Sequence, residues 1–159
     1  MISRRFLTNF MLEEISSAAA TVNINAVGDS VHPDGDEFGW DGQPGKPGSS
    51  FRPYVIVTPM QSSASSGAIR GVQNDWHFPY SISSFGATRV QAEWLNDYLR
   101  DWLYDNTPRK TFDAEDGYFY TVQGVKIDMI GGIVRSDTIE PPIFGQTDVY
   151  SIWITKGVL

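Results

Sequence analysis

The side chains able to do chemistry are few, and their spacings match no catalytic pattern. The chain has two histidines and no cysteine, which excludes disulfides, thiol catalysis and cysteine-held zinc. Neither His32 nor His77 accompanies a serine in a G-x-S-x-G turn. His77 alternates opposite the aromatic face of its strand and reads as a polar-face residue; His32 reads as a loop residue. Asp34, Asp36, Glu37 and Asp41 could offer oxygens to calcium. An EF-hand loop counted from Asp34, however, would place Phe38 at its fifth position and Gly45 where the bidentate glutamate belongs. That group reads as a solvated acidic loop. No Gly-Lys-Ser/Thr follows a glycine turn, so no phosphate-cradling loop is expected. Gly42 to Gly48 imitates collagen for two triplets, too few for a triple helix. These residues imply no cofactor, no metal and no enzymatic activity.

One pattern resists a bland reading. Glu93, Asp97, Asp101 and Asp105 recur every fourth residue, which on a helix aligns them into one acidic stripe. Like charges at that spacing cost ~0.2–0.5 kcal/mol each. Asp101 and Asp105 also fall near the C-terminal end, where the helix dipole disfavours anions. Arg89 and Arg100 offset part of this. The plain reading is a solvated face with local ion pairs. The sharper one is a stripe that meets cations on a neighbouring subunit, or lines a surface that repels phosphate. Arg70, Arg109, Lys110 and Arg135 are candidate cations.

The elements that would position these residues follow from periodicity. Residues 2–20 predict a first helix, with Ile2, Phe6, Leu7, Phe10, Met11, Glu14 and Ile15 on one stripe and Ser3 as a possible cap. Residues 28–50, rich in Gly, Pro, Asp and Ser, predict a long acidic loop in which Phe38 and Trp40 could pin the loop or dock on another chain. Tyr54 to Thr58 is a strand between prolines. A Ser/Gly linker (62–67) leads to a strand over 76–83, where Trp76, Phe78, Tyr80 and Ile82 share a face and Pro79 implies an edge or a bulge. Thr88 caps a second helix over 88–105, with Val90, Trp94, Leu95, Tyr98, Leu99, Trp102 and Leu103 as its apolar face and Pro108 as its stop. Trp76, Trp94 and Trp102 lie at core-like spacings and are expected to be buried. Strands follow at Tyr118 to Val122, at Val125 to Met129 and at Val149 to Thr155, with bulges or turns at Gln123-Gly124 and Gly131-Gly132. The sum is one α+β domain over 1–159: a mainly antiparallel, mixed sheet flanked by two amphipathic helices.

Composition narrows the function classes. The chain has 159 residues, enough for one domain, with 12 basic and 19 acidic residues and a net charge of −7. Such a balance argues against a dedicated nucleic-acid binder, which would neutralise phosphates with a basic face. Hydrophobic residues make up 41%, including five Trp, seven Tyr and nine Phe, so a sizeable core is expected. No apolar run nears the ~20 residues of a membrane helix, and Glu13 and Glu14 soon after Arg4 and Arg5 do not suit a signal peptide.

The segments Pro53-Tyr54-Val55-Ile56-Val57-Thr58-Pro59, Asp75-Trp76-His77-Phe78-Pro79-Tyr80 through Gly86, and Arg89-Val90-Gln91-Ala92-Glu93-Trp94 through Trp102 carry a resemblance. Over about residues 50–105 the chain resembles tail terminator proteins of long-tailed bacteriophages, particularly of actinobacterial siphophages. The likeness implies an α+β subunit of a closed ring, a hexamer, capping the head-proximal end of the tail tube. Such a ring ends tube polymerisation and joins the tail to the head connector. Implied partners are further copies, the major tail tube protein and the connector or stopper protein. Genomic DNA would pass through the lumen without specific binding, in a virion assembled in the bacterial cytoplasm. Candidate interface or lumen residues are Arg4, Arg5, Phe38, Trp40, Asp41, Arg70, Glu93, Asp97, Asp101, Asp105 and Arg135. A neck or stopper protein, or another tail-completion subunit, is the alternative within the virion. Outside it stand a small metal-dependent hydrolase using the acidic loop and an aromatic-rich binding module.

Overall fold

The structure, a computed structural model, describes residues 3–22, 24, 27–31, 53–61, 75–113, 117–137 and 142–158. Two helices, α1 (Arg4–Thr21) and α2 (Arg89–Asn106), accompany seven strands among the described residues. These are β1 (Val27–Asp29), β2 (Tyr54–Pro59), β3 (Asp75–Gly86), β4 (Thr111–Asp113), β5 (Tyr118–Ile130), β6 (Val134–Ser136) and β7 (Ile143–Val158). They form one sheet in the order β1-β2-β3-β7-β5-β4, with β6 also paired to β7. Only the β1–β2 pair is parallel; the others are antiparallel. This is the mixed, mainly antiparallel α+β fold expected from the sequence.

The spine is β7. Along one edge it pairs with β3, from Asp75↔Thr155 to Gly86↔Phe144. Along the other it pairs with β5 and then β6. Its N-terminal stretch, Ile143 to Asp148, lies outside the strand read from periodicity. Gly145, Gln146 and Asp148 carry little strand propensity, and hydrogen bonding on both sides holds them extended instead. The three-residue β1 also went unread, because so short a run shows no alternation; it takes the first residues of the stretch read as a loop. Of that stretch, residues 32–50 lie outside the described residues, as does the linker at 62–67.

Burial follows period two on the strands and 3.6 on the helices. Leu7, Met11 and Ile15 of α1 join Leu95, Leu99 and Leu103 of α2. Against them pack Val55, Val57, Tyr80, Ile82, Val122, Ile152 and Ile154 of the sheet. Both helices therefore cover one face. The polar exception on the α1 stripe, Glu14, is buried and satisfied: Lys110 Nζ donates to its carboxylate at 2.6 and 2.8 Å and Thr107 Oγ1 at 3.2 Å. Lys110 is thus engaged within its own chain. Ser3 takes the N-cap position of α1 without a side-chain cap bond; its amide donates to the Tyr120 hydroxyl at 3.0 Å. Thr88 does cap α2, accepting from the Gln91 amide at 3.2 Å, while Gln91 Oε1 accepts from the Ala87 amide at 2.8 Å. The two bonds satisfy amides that a helix start otherwise leaves without partners.

Pro79 sits in an interior strand, contrary to an edge reading, but at a locally open position. Its carbonyl accepts from the Met60 amide at 3.0 Å, just past the last β2–β3 pair, Pro59↔Tyr80. The side from which a ladder donor is missing is therefore where β2 ends.

The strand opposite β7 carries three one-residue bulges. Register shifts occur between Val122 and Gly124 and between Ile127 and Met129. A third follows because Ile130 faces Asp148 while Val134 faces Gly145, so three residues oppose two. The first and third fall where Gln123-Gly124 and Gly131-Gly132 marked them. The second, at Asp128, hides inside an unbroken apolar alternation and sends Met129 to the face opposite Val125 and Ile127. Each bulge adds twist to the strand.

A Cβ on Gly131 would press into the Thr147 carbonyl, whereas one on Gly132 would meet nothing within 4 Å. Gly131→Ala should cost about 1–3 kcal/mol in denaturant unfolding, and Gly132→Ala should be close to neutral. On the other face, burial pushes Tyr54 up to about 12. A folded-state value above the unfolded one means stability that is full below pH 10 and lost as pH rises through about 12. Alkaline unfolding should be shallower over that window in Tyr54→Phe.

Candidate interaction surfaces

The feature that sets these surfaces is a buried carboxylate. Asp148 follows the inward phase of β7, in step with Tyr150, Ile152 and Ile154, and is fully buried. Its Oδ2 accepts from Asn96 Nδ2 at 2.7 Å, from Arg100 Nη2 at 2.8 Å and Nε at 3.3 Å, and from the Tyr150 hydroxyl at 3.4 Å. Its Oδ1 accepts from the Gly131 amide at 3.0 Å and Gln146 Nε2 at 3.5 Å. Ser84 Oγ in turn donates to Asn96 Oδ1 at 3.3 Å. One carboxylate thereby ties α2, β7 and the third bulge together. For Arg100 the largest influence is burial, which lowers it, yet the hydrogen bonds and charge of Asp148 outweigh this and hold the guanidinium above its ordinary value. Burial, and after it the charge of Asp148, pushes the Tyr150 phenol up.

Because Asn96 and Arg100 turn inward, α2 is rotated relative to a purely apolar reading. Its covered side is Ala92, Leu95, Asn96, Leu99 and Leu103. Val90 is 63% exposed and Trp94 51%, correcting their assignment to the core face. Tyr98 and Trp102 lie half-buried along the flank, with Tyr98 hydrogen-bonded to Thr21 of α1 and stacked on Trp94 at 5.7 Å. Trp76 packs at the core margin beside Phe78.

The acidic stripe lies on the outward side of α2. Glu93 pairs with Arg89 at 2.6 Å and Asp97 with Arg100 at 2.9 Å, so local ion pairs account for half of it. Asp101 and Asp105 are exposed and make no ion pair among the described residues. The other candidates scatter. Arg4 donates to the Pro79 carbonyl at 2.8 Å and lies over the Phe78 and Tyr80 rings, so it fastens α1 to β3. Arg5 is exposed beside the Phe6 ring. Arg135 is exposed on β6 and pairs with Asp137 at 2.7 Å. Phe38, Trp40, Asp41 and Arg70 lie outside the described residues, as does the acidic loop tested for calcium.

A second surface was not anticipated. On the sheet face away from the helices, Tyr54 stacks on Phe85 at 4.7 Å beside Ile56 and Ile143. This patch continues into a cleft of about 610 Å³ with Met129, Ile130 and Val134 on its walls; these three are among the most exposed large apolar side chains. Further along the same face the character changes to hydroxyls, with Ser83 bonded to Thr147 at 2.7 Å and His77 stacked on Trp153 at 5.6 Å. Among the described residues no three His, Asp or Glu side chains converge as a metal site, and no helix is long and apolar enough to cross a membrane.

Removing one partner of a buried ion pair leaves the other charge uncompensated and typically costs about 3–5 kcal/mol. Asp148→Ala should show a loss of that order in denaturant unfolding. Asp97→Asn, on an exposed pair, should stay within about 0.5 kcal/mol.

No protein-family model and no curated protein sequence matches the chain. Among solved structures, a protein whose name carries no functional description superposes with a TM-score of 0.51 over 96% of this chain and 96% of its own. The two sequences are 12% identical, so the likeness is one of fold.

Proposed function

We propose that the chain is a structural subunit of a ring at the head-proximal end of a phage tail, where it ends tube polymerisation and receives the head connector. The observation that carries this reading is the sheet face away from the helices, where the exposed Met129, Ile130 and Val134 border an open apolar cleft also lined by Phe85 and Ile143. Exposed apolar surface of this kind marks a contact to be buried by another chain. The resemblance of residues 50–105 to tail terminators supplies the identity of the assembly.

Ring closure needs two different patches on each subunit that fit one another. The apolar cleft supplies one of them. A net charge of −7 per copy suits a lumen through which duplex DNA passes, since DNA gains no counterion release from an acidic wall.

Size-exclusion chromatography with multi-angle light scattering, with and without the tail tube protein, tests the reading. It predicts a discrete oligomer, or its formation on tube ends. Val134→Asp should leave a folded monomer. A wild-type chain that stays monomeric and ignores the tube would overturn the proposal.

A further inference from the structure

The cleft is not the only surface left open; α2 presents its own. From its N-terminal end outward the helix shows Val90 and Trp94, then Asp97 and Asp101, then Tyr104 and Asp105. Tyr104 is 40% exposed and its hydroxyl accepts the Ile127 amide at 3.0 Å, which fixes the ring at the surface. Trp94 is held in place by its stack on Tyr98. Preset aromatics on a rigid helix are the side chains that anchor protein contacts at low entropic cost.

We infer that this outward side of α2 is a docking surface for a cationic protein partner, whose arginine or lysine side chains lie over Trp94 and between Asp101 and Asp105. Charge complementarity selects that occupant. Arg89 and Arg100 answer Glu93 and Asp97, leaving Asp101 and Asp105 as net negative charge beside exposed rings. Such a field repels nucleic acid and anionic lipid and attracts basic protein surface. A guanidinium can stack on the Trp94 ring while pairing with a carboxylate. A second copy is a poor match, because each copy carries −7 and would set like net charge against like. The inference holds whether or not the chain forms a ring.

The test is calorimetric titration of the full chain with a synthetic peptide bearing arginines and leucines at helical spacing, and with its glutamate counterpart. The arginine peptide should bind and the glutamate peptide should not. Trp94→Ala should weaken binding about tenfold or more. Asp101→Asn with Asp105→Asn should weaken it about three- to tenfold and flatten its salt dependence. Glu13→Gln with Asp29→Asn, exposed carboxylates elsewhere, should change nothing. No binding by the wild type, or equal binding by every variant, overturns the inference. So does sedimentation showing self-association that Trp94→Ala abolishes, which would make α2 a contact between copies.

Discussion

A carboxylate sealed inside this protein determines where its surfaces lie. Asp148 sits on the central strand with no exposure to solvent, and every lone pair it offers is taken by groups from α2, β7 and the Gly131 bulge. Taking such a charge out of water costs several kcal/mol, recovered only when its partners are all in place. A helix rotated by one residue position would lose Asn96 or Arg100 and leave the charge bare. The network therefore contributes specificity more than net stability: it fixes which side of α2 faces the sheet and which faces outward.

Two consequences follow for the rest of the molecule. Arg100 is shared between the buried Asp148 and the exposed Asp97, so the acidic stripe is mechanically joined to the core beneath it. The same Asp148 accepts from the amide of Gly131, the residue whose close approach to Thr147 allows the strand to bend between β5 and β6. The separate bulge at Asp128 carries Met129 across to the far face, where it lines the apolar cleft with Gly131. One buried acid thus joins the outward side of α2 to the bend that borders the cleft.

Much of the architecture was legible in the sequence because its signals were local. Thr88 announced a helix start, and alternation from Trp76 to Ile82 announced a strand. The glycines at 124 and 131 announced bends. What escaped depended on contacts between distant segments. Asn96 and Arg100 look like ordinary surface residues of a helix until Asp148, some fifty positions away, is placed beneath them. That partnership, and not helical periodicity, turns Trp94 outward. Asp148 itself was readable in principle: it stands two residues before Tyr150 and four before Ile152, in the inward phase of the strand. The bulge at Asp128 had no signal, because the apolar alternation runs through it undisturbed. Of the candidate site residues, the α2 carboxylates stand together on one outward face, Arg4 is committed to the core margin, and Arg5 and Arg135 lie apart.

The central claim, that the chain assembles through its apolar cleft into a closed ring at the tube end, is tested most directly by electron microscopy of the purified full-length protein mixed with tail tube protein. The account predicts class averages showing rings with rotational symmetry seated on tube ends. Particles that remain single subunits, with tube ends bare, would contradict it.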